Sequence, residues 1–212
     1  MTETESQFRD ACTEVGIRPN DQTALFAFLA PLREKSPTTH VHYLHSLRVG
    51  LLARQIGRVT HHDERALLMA GALHDLGKCQ ICLATLGKSE RWSRRDTEQM
   101  KQHVMNGYSM LRGRFDLTAD TMVRHHVFQS NGYPKRLPRF LHNYSEVTKL
   151  LIGEHARIVA LADVYDALHR VNDKFGAKRA LSGEEIRALM HEHNPDRTAL
   201  VTALYDARIF TM

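Results

Sequence analysis

Cysteine is scarce in this chain, with three in 212 residues: Cys12, Cys79 and Cys82. So few, and an odd number, exclude a disulfide-built scaffold, and reduced thiols are expected. No apolar run approaches the ~18–20 residues that a membrane span needs, so no membrane partner is expected. No block of like charges marks a nucleic-acid arm. Period-two alternation is missing over any useful length, which argues against a sheet, and neither repeats nor low-complexity tracts occur. The opening Met1-Thr-Glu-Thr-Glu-Ser is acidic and polar, opposite in character to an export signal, and a cytoplasmic location is the expectation.

What is present is globular. Hydrophobic residues make up 42% and charged residues 25%, enough for one substantial core without staples. A net charge of +5 favours anionic ligands such as nucleotides. The unusual count is 14 histidines, which puts metal coordination or acid–base chemistry first among the functions to consider.

Apolar spacing predicts helices nearly everywhere. Leu25, Phe26, Phe28, Leu29 and Leu32 sketch a helix ending near Ser36-Pro37, and Thr38 or Thr39 is placed to cap the next, with Tyr43, Leu44, Leu47, Leu51 and Leu52 on one face. Thr60 is expected to cap a third helix that carries Ala66, Leu67, Met69, Ala70 and Leu73 inward, with Gly77 stopping it. Further helices are predicted over 97–111, 118–126, 145–169, 183–193 and 196–207, and a turn at Ser130-Asn-Gly-Tyr-Pro134 leads into a basic, aromatic loop. The expected fold is all-α: a helical extension over 1–37, then one domain over 38–212.

Chance alone gives about one His-Asp dipeptide in a chain of this composition. There are two, His62-Asp63 and His74-Asp75. The first precedes Glu64-Arg65 at a predicted helix start and reads as solvated helix-terminus chemistry. The second ends an apolar helix in Ala72-Leu73-His74-Asp75-Leu76-Gly77-Lys78, where charge among leucines needs a partner such as a metal. Matching groups stand on separate predicted helices: His45, His103, His125, His126 and Asp163. Imidazole with carboxylate suits Mn, Fe, Zn, Co or Ni.

The segments HSLRV (45–49), ALHDLGK (72–78), HVMNGYSML (103–111), HH (125–126), GYP (132–134) and ARIVALADVYDAL (156–168), in this order, resemble the HD-domain metal-dependent phosphohydrolases, and within them the HD-GYP subgroup. The resemblance implies an all-α HD-domain bundle with a dinuclear site that hydrolyses phosphate esters, cyclic di-GMP above all. Carried over by position, one metal takes His45, His74, Asp75 and Asp163; the other shares Asp75 and adds His103, His125 and His126. Fe or Mn is expected first, then Zn, Ni, Co or Mg. Three-metal members have a glutamate where Val41 stands, so two metals are expected, and His42 reads as an ordinary helix-face residue. Lys78 corresponds to the family lysine that holds substrate phosphate, with Asp75 as the catalytic carboxylate; the alternative is a lysine complementing a helix dipole. Lys174, Lys178 and Arg179 lie where further phosphate-binding cations are found.

The chain also departs from the pattern. After the double histidine the family runs Glu-Arg and then Asp-Gly; here Val127-Phe128-Gln129-Ser130-Asn131 precedes Gly132-Tyr133-Pro134, a degenerate GYP loop. Cys79-Gln-Ile-Cys82 reads as reduced thiols near the site entrance, and Trp92 among arginines as an apolar anchor, with base stacking as its alternative. The expected activity is metal-dependent hydrolysis of a phosphodiester in a cyclic dinucleotide such as cyclic di-GMP. The alternatives are a generic nucleotide phosphohydrolase and a catalytically weak module that senses a nucleotide or holds a partner.

Overall fold

Ser36 starts the longest helix of the protein. Its hydroxyl accepts the Thr39 N–H at 3.1 Å, the Thr39 hydroxyl accepts the Ser36 N–H at 3.0 Å, and Pro37 fills the first turn, where its missing donor costs nothing. In the computed structural model, which describes residues 2–88, 91–170 and 180–211, this helix is α3 (Pro37–Thr60). It follows α1 (Glu3–Glu14) and α2 (Pro19–Glu34) and precedes α4 (Glu64–Leu73). A 3-10 turn (Leu76–Gln80) and the one-turn α5 (Leu83–Leu86) lead to α6 (Arg94–Leu111), α7 (Asp116–Met122) and α8 (Glu146–Leu168). Then come α9 (Gly183–His193), a 3-10 turn (Pro195–Arg197) and α10 (Thr198–Asp206). Among the described residues there is no strand, and no helix is long and apolar enough to cross a membrane. The protein is an all-α helical bundle.

α3 is central because it is apolar on two sides. Tyr43 and Leu47 join Phe8, Leu25, Leu29, Leu68, Leu73, Val104 and Met122 in one buried cluster, made by α1, α2, α4, α6 and α7. Val49, Ala53 and Ile56 face the other way, into a second cluster with Leu67, Val159, Leu161, Met190, Leu204 and Phe210. α3 and α4 meet where side chains would not fit: a Cβ on Gly71 would stand 2.7 Å from the Gly50 Cα, and one on Gly50 would stand 2.9 Å from the Leu68 carbonyl oxygen. Farther on, a Cβ on Gly77 would stand 1.9 Å from the His103 carbonyl oxygen and 2.5 Å from the Gly107 nitrogen. These contacts press the start of the 3-10 turn onto α6.

Several helix boundaries differ from the sequence expectation, each through capping. Ser36, not Thr38 or Thr39, caps α3, because the hydroxyl must precede the helix to reach the third N–H. Thr60 ends α3, bonding back to the Ile56 carbonyl at 2.8 Å, and Asp63 caps α4 by accepting the Ala66 N–H at 3.0 Å. Helix α4 stops at Leu73, before Gly77, whose role is close packing. α7 closes at Met122, so His125 and His126 lie in a turn rather than on a helix. Cys79 is buried with its sulfur 3.9 Å from that of Met110, Cys82 is exposed, and both are free thiols. Trp92 is partly exposed beside Ser93, the cap of α6.

The Gly77 contact yields a stability prediction. In Gly77→Ala the added methyl meets backbone, which cannot rotate away, and the unfolding free energy should fall by about 3 kcal/mol in denaturant titration. Gly153→Ala on α8 is the contrast: its Cβ meets nothing within 4 Å, so helix propensity alone should add about 0.5–1 kcal/mol. An unchanged midpoint for Gly77→Ala would contradict the packing described.

Candidate metal centre

His74, His103 and His125 are held by one local device. Each Nδ1 donates to the carbonyl three residues earlier: His74 to Gly71 at 2.7 Å, His103 to Met100 at 2.6 Å and His125 to Met122 at 2.5 Å. With Nδ1 as the donor, Nε2 is the nitrogen that can offer a lone pair once the ring is neutral. All three Nε2 atoms are buried and have no hydrogen-bond partner among the described residues, and the same is true of His45 Nε2. Buried nitrogens of this kind are costly unless something electrophilic meets them.

The carboxylates face those nitrogens. Asp75 directs Oδ1 to within 3.2 Å of His103 Nε2, while its Oδ2 lies 3.3 Å from His74 Nε2 and 3.4 Å from His45 Nε2. Asp163 Oδ1 stands 3.1 Å from His45 Nε2 and 3.6 Å from His74 Nε2. Two groups of candidate ligands result, one of Asp75, His103, His125 and His126 and one of His45, His74 and Asp163, each with ligand atoms within 4.8 Å of one another. Asp75 looks into both. The structure thus brings together all seven residues that the sequence singled out as ligands. Lys78 joins them, its Nζ donating to Asp75 Oδ2 at 2.5 Å. Lys174, Lys178 and Arg179 lie outside the described residues.

Burial and charge set the protonation states. For His74, burial works against the charged ring, but the Asp75 and Asp163 carboxylates outweigh it and raise its pKa to about 10. His45 is raised as well, with burial again overcome by Asp163, Asp166 and Asp75. Burial alone would raise Asp75 and Asp163; instead the cations beside them, His74 and Lys78 for Asp75 and His45 and His74 for Asp163, hold both well below the usual range. His125 goes the other way, lowered to about 3 by burial and by His74 and His103, and His126 is likewise lowered. Two carboxylates are therefore balanced by imidazole protons and Lys78, while two neutral histidines stand ready to donate lone pairs. Imidazole nitrogens and carboxylate oxygens in this mixture suit first-row divalent cations, and the orphaned Nε2 atoms fit them.

Several residues of the centre are not among those the sequence singled out. Asp166 accepts from His45 Nδ1 at 2.6 Å and is itself clamped by Arg48 through Nε at 2.6 Å and Nη2 at 3.0 Å. Their spacing was the available signal: Asp166 follows Asp163 by three residues and Arg48 follows His45 by three, so each pair shares a helix face. Gln129 pairs its side-chain amide with His126 Nδ1 at 2.8 Å, and the Tyr133 ring stacks on His126 with centroids 4.4 Å apart. Gly132 lies so close that a Cβ there would be 2.5 Å from the Val127 carbonyl oxygen. Gly132 and Tyr133 thus wrap the second histidine of the pair.

A cation entering the His45, His74 and Asp163 group must displace imidazole protons. His74 keeps its proton up to about pH 10, so below that pH the affinity should strengthen as pH rises, by about tenfold per unit for each proton released. Competition titrations with Mn between about pH 6 and 8 read this directly; flat affinity would mean no proton is displaced. In Asp166→Asn, His45 and Arg48 lose the charge that orients them. Cation affinity at the His45, His74 and Asp163 group should fall about 10- to 100-fold while the other group keeps its ion, a loss visible as lowered stoichiometry under chelator challenge. Unaltered retention would remove Asp166 from the centre.

Comparison with known proteins agrees with this geometry. The chain is 37% identical over 128 residues to the cyclic di-GMP phosphodiesterase response regulator RpfG of Xanthomonas campestris, a match covering 56% of this chain and 30% of that protein. It is 30% identical over 149 residues to the cyclic di-GMP phosphodiesterase PA4108 of Pseudomonas aeruginosa, covering 67% and 33%. The chain therefore spans about a third of the length of the curated relatives it matches. Its fold is similar to that of the HD domain of the L. monocytogenes phosphodiesterase PgpH, with a TM-score of 0.55 at 16% identity over 81% of this chain and 84% of that one. The same domain in complex with cyclic-di-AMP gives 0.53 at 16% identity, over 82% and 83%. The HD domain family model matches residues 43–168, which hold every candidate ligand and Lys78, and the chain belongs to the HD-domain family.

Proposed function

We propose that this protein is a metal-dependent phosphohydrolase that cleaves a phosphodiester of a cyclic dinucleotide, cyclic di-GMP foremost, with two divalent cations, Fe or Mn before Zn, Ni, Co or Mg. The observation that carries the reading is the position of Asp75, whose two oxygens face two different ligand groups. His45, His74, Asp75 and Asp163 would hold one cation, and Asp75, His103, His125 and His126 the other. Bound there, such a pair supplies Lewis acidity that draws charge from the phosphate oxygens and lowers the pKa of water for attack. The chain's own groups do the rest. Asp75 sets the spacing of the two groups, the backbone carbonyls and Asp166 aim the imidazoles, and Lys78 turns its remaining donors toward an arriving phosphate oxygen. The relatives named for cyclic di-GMP and the fold likeness to a cyclic-di-AMP complex support the substrate class.

The loop between His126 and Gly132 favours broad selectivity within that class. Gln129 is engaged with His126, the Phe128 ring centre lies 5.2 Å from the Arg157 guanidinium, and both side chains are uncharged where the family carries a charged pair. Discrimination, which depends on differences in transition-state contacts, should weaken more than the chemistry itself.

Protein loaded with Mn or Fe should hydrolyse bis-p-nitrophenyl phosphate and open cyclic di-GMP or another cyclic dinucleotide to the linear product, faster than it hydrolyses mononucleotides. Asp75→Ala should lose metal and turnover together. Lys78→Ala should keep its metal while kcat/KM falls about 100-fold, or ~2.7 kcal/mol of transition-state contact. Full metal content with no diester turnover under any metal would replace the enzyme by a binding module, and fast, exclusive cleavage of cyclic di-GMP would overturn the broad-selectivity reading.

A further inference from the structure

Lys35 reaches the turn that carries Lys78 from outside the stretch that the family model matches. It occupies the short junction between α2, which ends at Glu34, and α3, which begins at Pro37, ahead of the matched residues 43–168. The Ser36–Thr39 capping box fixes the backbone on one side of the junction, and the His40 ring bonds through Nδ1 to the Arg33 carbonyl at 3.1 Å on the other. From there Lys35 extends Nζ to the Cys79 carbonyl oxygen, 44 residues on in the chain, at 2.6 Å. Lys35 is an exposed residue, and an exposed lysine ordinarily leaves its ammonium to water, because fixing so long a side chain costs rotamer entropy.

The carbonyl it meets explains the exception. Cys79 directly follows Lys78 in the 3-10 turn. The last carbonyls of a helical turn lack partners inside it, and positive charge is favoured at that end; Lys35 supplies both donor and charge. The turn is thus gripped from two sides. On α6, Gly77 seats against the His103 carbonyl and the Gly107 nitrogen, and the Cys79 sulfur lies 3.9 Å from that of Met110. From the α2–α3 junction, Lys35 holds the Cys79 peptide. Between these points the Lys78 N–H bonds to the Asp75 carbonyl at 2.9 Å, and the Ile81 N–H returns to the Lys78 carbonyl at 3.0 Å. The direction in which Lys78 leaves the backbone follows from peptides that Lys35 helps to fix.

We propose that Lys35 is a positioning residue for Lys78: by holding the Cys79 carbonyl it sets the turn from which Lys78 meets the substrate phosphate, and the α2–α3 junction is thereby part of the phosphate site. The proposal rests on the phosphodiester reading above, in which Lys78 contacts that phosphate. Lys35 belongs to neither group of candidate ligands, so its influence on an arriving phosphate passes through Lys78. Lys35→Met keeps the length of the side chain without donor or charge, and Lys35→Arg keeps both.

The test is a double-mutant cycle on full-length protein loaded with Mn, with Lys35→Met, Lys78→Ala and the two combined, and Lys35→Arg beside them. Two quantities are measured: kcat/KM for bis-p-nitrophenyl phosphate, and the affinity for inorganic phosphate by calorimetry. Lys35→Met should lower both about 10-fold with metal content unchanged, and Lys35→Arg should recover most of the loss. The double variant should be no worse than Lys78→Ala alone, because a residue that acts through Lys78 has nothing left to position. A strut that only stabilises the fold, or a charge acting on the phosphate through space, would lower the double variant further, so additive losses overturn the proposal. Wild-type values in Lys35→Met, a loss that arginine does not rescue, or a fall in metal content would overturn it as well. Wild-type protein that binds phosphate but cleaves no diester would sink the phosphodiester reading alone, because the cycle still closes in phosphate affinity; wild-type protein that does neither would overturn both.

Discussion

A carboxylate taken out of water costs several kcal/mol unless positive charge or donors replace its hydration, and Asp75 is 1% exposed at the junction of four helices. His45 arrives on α3, His74 at the end of α4, His103 on α6, and Lys78 one turn on in the same 3-10 segment. The helices can bring these groups together because glycines remove the side chains that would hold them apart: Gly50 and Gly71 between α3 and α4, and Gly77 and Gly107 between the 3-10 turn and α6. Packing and charge are therefore one constraint. The centre exists because the backbones come close, and their closeness is tolerable because the buried charges are matched.

A layer of supporting contacts fixes what the primary groups can do. Three backbone carbonyls and the Asp166–Arg48 pair decide which nitrogen of each imidazole faces inward, so the tautomers are chosen by structure outside the ligand set. On the other side Gln129 and Tyr133 hold His126, and Phe128 lies against Arg157, which bonds to Asn194 at 3.0 Å and to Asp196 at 2.6 and 2.9 Å. The loop that departs from the family pattern is thus tied both to the centre and to the closing helices. Its residues support the candidate ligands, and neither Gln129 nor Phe128 carries charge.

Much of the centre was legible in the sequence because its chemistry is carried by residue type. A histidine and an aspartate among leucines have few inexpensive fates, and the order of the motifs along the chain pointed to the seven candidate ligands that the structure brings together. Helix existence was equally legible from apolar spacing. Helix ends were not, because Ser36, Asp63 and Met122 owe their positions to hydrogen bonds that neighbouring threonines and glycines could equally have suggested.

The sequence by itself determined an all-α chain with apolar faces at helical period and a set of imidazoles and carboxylates able to hold cations, because periodicity and donor chemistry are properties of single residues and their spacing. Tertiary structure decided which carboxylate faces both candidate ligand groups, and that Asp166 and Arg48 belong to the centre while His62 and Asp63 do not. The physical reason is that these are matters of distance and direction between segments far apart in the chain. Such distances are fixed only when α3, α4, α6 and α8 have packed on one another.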